Sequence, residues 1–331
     1  MVKTFLITGG NGFIGINLIK YIIKKNKFYH IRIIDNLSSS KFKEIKKLPH
    51  FFYINDINKI NIKKKGIFFL KKSILQQKYL DQISKKIDCV IHLAANTGIE
   101  KSINNPRYDL SQNVLGSMNI LESCKKNGVK KIIFASSNAA VGENSSSISE
   151  TIYPKPNNLY GASKLSGESY MYSYYKTHNL NTVSLRFGNV YGPGSDHKNN
   201  IIPKFIKNLI NNKICFINGD GEQTRDFIFI SDLVEAIYKC TYKNNLSGEL
   251  FQIASGKQTS INKLAKIILD KFQLYTKKKG ELKYRSKRIG DVYINYSNIK
   301  KAKKILKWYP KMKLEKGIEL TLKYFINEKN Y

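Results

Sequence analysis

The chain has 331 residues, 42% hydrophobic and 12% aromatic, which is too apolar for a disordered chain and enough for one large core or two smaller ones. Its net charge of +33 comes from 51 Lys and only 6 Arg, scattered with short clusters at 63–65, 277–279 and 300–304 in a chain also heavy in Ile and Asn; this reads as compositional bias, because phosphate recognition recruits Arg as well, and neither nucleic acid nor membrane is an expected partner. No leader-like segment opens the chain, no apolar run approaches the ~20 residues that cross a bilayer, and Cys89, Cys124, Cys215 and Cys240 form no C-x-x-C pair, so buried free thiols in a cytoplasmic protein are expected.

In chain order, Thr4–Thr8 predicts a strand, and Thr8-Gly-Gly-Asn-Gly-Phe-Ile-Gly15 runs from it into a helix over Gly12–Lys25. Gly9, Gly12 and Gly15 have G-x-x-G-x-x-G spacing. That allows a tight turn, close approach of a pyrophosphate and close helix packing, with the helix N-terminus facing the anion. The next strand, His30–Asp35, ends on Asp35-Asn36, 20 residues beyond Gly15. An acid there suits the ribose hydroxyls of NAD and repels the 2′-phosphate of NADP. The polar stretch Lys41–Lys65 reads as an inserted surface excursion. Strands at Ile67–Leu70, Cys89–Leu93, Lys131–Ser136 and Thr182–Phe187 then alternate with helices at Gln76–Lys86, Pro106–Asn127 and Leu159–Asn179. Alternation of this kind predicts an α/β fold, a Rossmann-type doubly wound parallel sheet with helices on both faces.

After Arg186 the pattern loosens into short strands at Ile214–Ile217, Asp226–Ile230 and Leu250–Ile253, and helices at Asp232–Tyr242, Ile261–Phe272 and Leu314–Ile326. A smaller C-terminal α/β domain for substrate is expected. The expected division is 1–185, with roughly 225–256 returning, for the dinucleotide domain, and 186–224 with 257–331 for the second.

Tyr160-Gly-Ala-Ser-Lys164 opens one of the predicted helices. Residues four apart share a helix face. A half-buried Tyr beside a solvated Lys would be the ordinary explanation in a chain with 21 Tyr.

The chain resembles the extended short-chain dehydrogenase/reductase superfamily, and within it the nucleotide-sugar epimerase/dehydratase family of the UDP-glucose 4-epimerase type. The resemblance rests on Thr8–Gly15, Asp35-Asn-Leu37, His92-Leu-Ala-Ala95, Asn113-Val-Leu-Gly-Ser117, Ser136-Ser137, Tyr160–Lys164, Leu185–Pro193, Gly219-Asp-Gly221 with Arg225-Asp-Phe, and Arg288-Ile-Gly-Asp291. It implies Tyr160 as base and later acid, with its pKa lowered from about 10 toward about 7 by Lys164 and the nicotinamide cation. Ser137 would bind the reacting hydroxyl and Lys164 the nicotinamide ribose. Gly9, Gly12, Phe13, Ile14, Gly15, Asp35, Asn36, Ser73, Ile74, Leu93, Ala94, Ala95, Thr97, Asn113 and Gly188 would complete the NAD site. Asn189, Asn200, Ile201, Arg225, Arg288 and Asp291 would hold a nucleotide sugar, with Phe216 stacking on its base. His92 has no second His at ligand spacing and is expected to be structural, and no metal site is expected.

The chain departs from the family pattern at Ser73-Ile74, where an Asp-Ile pair often holds the adenine, and at Val141, usually Tyr. Family dehydratases carry an acid pair after the catalytic Ser or Thr, and UDP-glucuronate decarboxylases keep a Glu. Asn138 and Ala139 stand there and cannot act as acids. The resemblance therefore implies a UDP-sugar 4-epimerase, often a homodimer through two long helices, with dehydration or 4-keto reduction as chemical competitors. A non-catalytic NAD sensor or nucleic-acid binder is the alternative of another class, and the intact Ser137, Tyr160, Lys164 and Asn189 disfavour it.

Overall fold

Runs of two to seven residues, most of them rich in β-branched and aromatic side chains, form strands here, and most of the longer runs between them form amphipathic helices. The computed structural model describes residues 3–39, 42–144, 146–287 and 292–329. The chain divides into two compact units, Met1–Gly142 with Tyr153–Arg186 and Val234–Phe251, and Glu143–Ile152 with Phe187–Leu233 and Gln252–Tyr331.

The first unit runs β1 (Thr4–Thr8), α1 (Phe13–Lys25), β2 (His30–Asp35), α2 (Lys43–Lys46), β3 (Phe51–Tyr53), β4 (Gly66–Lys71), α3 (Gln77–Ile83), β5 (Cys89–His92), α4 (Ile99–Asn104), α5 (Pro106–Leu110), α6 (Gly116–Lys126), β6 (Lys131–Ser137), α7 (Leu159–His178) and β7 (Thr182–Phe187). The second contains β8 (Asn189–Tyr191), α8 (Ile201–Ile210), β9 (Cys215–Asn218), β10 (Thr224–Arg225) and β11 (Phe227–Phe229). Both α9 (Ile230–Tyr242) and β12 (Glu249–Ile253) straddle the division. β13 (Thr259–Ser260), α10 (Ile261–Thr276), β14 (Leu282–Arg285) and α11 (Leu314–Lys329) complete the second unit.

The large sheet has the order β12-β7-β6-β5-β1-β2-β4-β3. From β3 to β6 every neighbouring pair is parallel. The chain leaves β1 toward β2 on one side and returns to β5 on the other. The order thus reverses at β1, where such sheets bind ligands at the carboxyl ends of their strands. This is the expected Rossmann-like core with flanking helices and a smaller C-terminal α/β unit, the latter holding the pairs β8–β11, β9–β14 and β10–β13. All four cysteines are buried and free. Among the described residues no helix is long and apolar enough to cross a membrane.

Three sequence expectations need correction. The stretch read as a surface excursion supplies edge strand β3 and buries Ile45 completely. Its aromatic residues Phe42, Phe51 and Tyr53 pack on Phe69 of β4, and that burial holds the segment to the sheet; Lys41 lies outside the described residues. The single helix expected over Pro106–Asn127 is broken by a π-helical turn at Ser111–Leu115. No element is expected between Phe187 and Ile214, yet β8 and α8 form there, and α8 tolerates Pro203 because the first helical turn does not need that N–H.

Candidate active site

The N-terminus of α7 is set by Asn158, whose Oδ1 accepts the Gly161 N–H at 2.8 Å. Gly161 lets the helix lie against the turn after β6, since a Cβ there would sit 2.2 Å from the Ala139 carbonyl oxygen. That approach brings Tyr160 to Ser137. Ser137 Oγ accepts the Ala139 N–H at 3.2 Å and hydrogen-bonds the Tyr160 phenol, favouring its ionised form. When Tyr160 is ionised its phenolate can only accept, so the Ser137 hydroxyl is then the donor. Lys164 lies one turn on, buried, with Nζ donating to the Ala135 carbonyl at 2.9 Å and 6.0 Å from the Tyr160 ring centroid.

The lowering of the Tyr160 pKa expected from the resemblance draws on Lys164 together with the nicotinamide cation, against a value that the protein's own groups set high. Tyr160 keeps some exposed surface, but its hydroxyl end lies deep, and burial pushes the phenol up to about 12, opposed by Ser137 and reinforced by the charge of Asp109. Bringing it to about 7 asks for about 7 kcal/mol of additional preference for phenolate. Burial lowers Lys164 to about 8, while Asp109 and Glu168 favour its charged form.

Behind this pair, His92 is buried and structural. Its Nδ1 lies 2.7 Å from Thr8 Oγ1 and its Nε2 lies 3.0 Å from Ser117 Oγ. Thr8 Oγ1 accepts the Ala94 N–H, and Ser117 Oγ donates to the Asn113 carbonyl. These partners assign the proton to Nε2 and make Nδ1 the acceptor. One neutral imidazole thereby joins the end of β1, the loop after β5 and the π-turn. Burial, then the charge of Lys164, lowers its pKa to about 3.

Asn113 sits in that π-turn, a distortion frequent at functional sites. Its Oδ1 accepts the Asn96 N–H at 2.8 Å, and its Nδ2 lies 3.0 Å from the Asn96 carbonyl, 3.1 Å from Asp109 Oδ1 and 3.0 Å from Ser163 Oγ. It therefore clamps the loop after β5 to α7. Asp109 is itself buried and also accepts from Asn96 Nδ2 at 3.0 Å. Sequence reasoning passed over Asp109, Asn96 and Ser163. Asp109 four residues before Asn113 was the available signal, since that spacing shares a helix face.

The chain matches the model of the NAD dependent epimerase/dehydratase family over residues 5–254. It belongs to that family. A relative from Methanocaldococcus jannaschii, provisionally named a UDP-glucose 4-epimerase, is 36% identical over 97% of this chain and 98% of its own length. A dTDP-D-glucose 4,6-dehydratase of Dictyostelium discoideum is 34% identical over 81% of this chain and 62% of its own length. The solved UDP-glucuronic acid 4-epimerase of Bacillus cereus, in complex with UDP-glucuronic acid and NAD, aligns with a TM-score of 0.85 at 28% identity, covering 99% of this chain and 100% of that one. The chain is an NAD-dependent, sugar-nucleotide-modifying enzyme of this family.

As a member of the family it has residues that fit NAD. Gly9 has φ +66°, and a Cβ there would lie 2.7 Å from the Ala94 backbone nitrogen. Gly12 precedes Phe13 and Ile14, and α1 has neither a side-chain cap nor an acidic residue in its first turn, leaving its amides to an anion. Asp35 ends β2 and accepts the Asn11 N–H at 2.9 Å and the Leu37 N–H at 2.8 Å. Burial raises the Asp35 carboxyl pKa, opposed by those two amides. Asn36 follows and is exposed. Leu93, Ala94 and Ala95 are half-buried after β5 and Thr97 is exposed. Ser73 Oγ accepts the Leu75 N–H at 3.2 Å, and Ile74 is buried.

The remaining candidates lie in the second unit. Gly188 donates its N–H to the Ile253 carbonyl at 3.1 Å and Asn189 donates its N–H to the Asp226 carbonyl at 2.7 Å. Asn200 precedes α8 without side-chain capping and Ile201 is its first residue. Arg225 Nη1 donates to the Thr224 and Val292 carbonyls at 2.7 and 2.6 Å. The neighbouring Asp226 is engaged by Ser255, Gly256 and Ser297. Phe216 is 39% exposed, with the Arg285 guanidinium 5.5 Å from its ring centroid. A small cavity of about 60 Å³ is lined by Asn218, Gly219, Asp220, Gln223, Lys287 and Tyr293. Arg288 and Asp291 lie outside the described residues.

Proposed function

We propose that this enzyme is a 4-epimerase of UDP-hexoses, UDP-N-acetylhexosamines or UDP-hexuronates. The observation that carries the reading is the Ser137–Tyr160 hydrogen bond, with Lys164 one turn on and Asn138-Ala139 immediately after Ser137. Tyr160 takes the C4 hydroxyl proton, helped by Ser137, and returns it at the end of the cycle. NAD, when bound, supplies hydride acceptance from C4 and its return to the other face. No carboxyl side chain stands at 138 or 139 to catalyse elimination. The name of the Dictyostelium relative favours a second reading, C4 oxidation followed by loss of water.

The cofactor residues named above, with Asn113 as a clamp and Gly188, and the substrate residues Ser137, Asn189, Asn200, Ile201, Phe216, Arg225, Arg288 and Asp291 are proposed on the same basis. A homodimer is proposed through α5, α6 and α7. Leu110 on α5, Leu115 in the π-turn that joins α5 to α6 and Tyr172 on α7 are 62%, 51% and 51% exposed, more large apolar surface than a solitary helix pair needs to show. The protein is proposed to be cytoplasmic.

The deciding experiment incubates purified protein, with and without added NAD⁺, with UDP-glucose, UDP-N-acetylglucosamine and UDP-glucuronate, and reads the C4 configuration by proton NMR. A 4-epimer mixture from one sugar, absent with Tyr160→Phe, is expected. A 4-keto-6-deoxy product would replace this reading with the dehydratase one.

A further inference from the structure

The last three residues of β6 are each held by one stripe of α7. Tyr160, Lys164 and Glu168 stand four apart and so face the same way. Tyr160 meets Ser137, Lys164 Nζ meets the Ala135 carbonyl at 2.9 Å, and Glu168 Oε1 accepts from Ser136 Oγ at 2.5 Å. From the other side, Arg186 on β7 grips the Glu168 carboxylate with both prongs, Nε to Oε1 at 2.8 Å and Nη2 to Oε2 at 2.6 Å. Ser136, Glu168 and Arg186 are all buried.

Burying such a pair is expensive in itself. Arg186 Nη1 has no hydrogen-bond partner among the described residues, and well-packed apolar residues of similar volume are often as stable or more so. What the pair does supply is direction. A bidentate guanidinium–carboxylate contact fixes both distance and angle, and the serine it orients is the immediate neighbour of Ser137.

We propose that Glu168, anchored by Arg186, is a positioning residue that fixes the register of α7 on the end of β6 and so sets the Tyr160–Ser137 contact and the place of Lys164. The proposal rests on reading Ser137, Tyr160 and Lys164 as the reacting set. Its charge acts as well: Glu168 and Asp109 favour the ammonium of Lys164 against burial, and Lys164 in turn disfavours a proton on His92.

Two variants test this. Ser136→Ala removes one link and leaves the ion pair; Glu168→Gln keeps the shape and removes the charge. Both are assayed for kcat, KM and the pH profile, and their crystal structures are read for the Tyr160–Ser137 hydrogen bond. With the 4-epimerase substrate, kcat is expected to fall about tenfold in Ser136→Ala and about a hundredfold in Glu168→Gln, with KM nearly unchanged. In Glu168→Gln the alkaline limb of kcat is also expected to move to lower pH, because Lys164 loses a neighbour that keeps it charged. Folded variants with wild-type kcat and pH profile would overturn the proposal. So would a fall in kcat with an unmoved limb and an intact Tyr160–Ser137 bond. If Glu168→Gln does not fold, Ser136→Ala decides. If the wild type turns over no nucleotide sugar, the functional reading has failed, and the two crystal structures alone judge the positioning: a broken contact supports it and an intact one overturns it.

Discussion

Tyr160 and Lys164 have opposite problems at the level of single residues. Burial holds the phenol near 12 and draws the ammonium down to about 8. A lowered lysine pKa means the charge is present below about pH 8 and lost above it. Activity is therefore expected to decline as pH rises through about 8, and Lys164→Met should lose that alkaline limb together with most of its rate; kcat measured from pH 6 to 10 checks both. Tyr160→Phe removes the base and should lower kcat by about 10³-fold or more. Bound NAD, released by denaturation and measured by absorbance, should remain, because the phosphate loop is untouched. That Tyr160 and Lys164 share one face of α7 was legible in the sequence from their spacing of four, whereas Ser137 came into view only through the family resemblance. Asp109 and Glu168 were not legible. Each is an ordinary acid on a helix until a tertiary contact, with Asn96 and Asn113 or with Ser136 and Arg186, gives it a partner.

At the level of elements, α7 was read to within a residue, and the structure adds what fixes its start, the Asn158 cap and the close approach that Gly161 allows. Gly161→Ala should test that approach: its Cβ would meet the Ala139 carbonyl oxygen at 2.2 Å, which forces helix and turn apart. A loss of about 1–3 kcal/mol in urea unfolding is expected, with a disproportionate loss of kcat because Tyr160 moves with the helix. A variant as stable and active as the wild type would show that the approach is not needed. The π-turn at Ser111–Leu115 escaped the sequence reading because a single wide turn adds only one residue, too short a break to show in the apolar pattern. Strand β3 escaped because three residues are too few to show a period of two, and its aromatic residues declare themselves only against Phe69.

For the molecule as a whole, charge and protons set the conditions of stability. His92 is neutral in the fold with a pKa of about 3, below its ordinary value. The unfolded chain binds a proton below about 6.5 that the folded one refuses, so the contribution is full above that pH and is lost as pH falls toward 3. His30, lowered by burial and then by Arg32, acts in the same direction. From pH 7 to 5, His92 alone should cost about 2 kcal/mol, read as a shift in urea midpoint that shrinks in His92→Asn. With a net charge of +33, added salt should instead stabilise the fold by screening self-repulsion as the Debye length falls from about 30 to about 8 Å. A melting temperature that drops on going from 0.01 to 0.15 M salt would mean that the Lys–carboxylate pairs outweigh the repulsion. The four interior thiols add a practical resource. Burial pushes Cys89 and Cys240 up to about 12 and Cys215 to about 11, and raises Cys124 as well, so almost no thiolate is present at neutral pH. A maleimide dye should ignore the native protein and label a single cysteine introduced on its surface, which makes fluorescence tagging possible without first deleting the natural four. Modification of those four would then serve as a clock, advancing only when the fold opens.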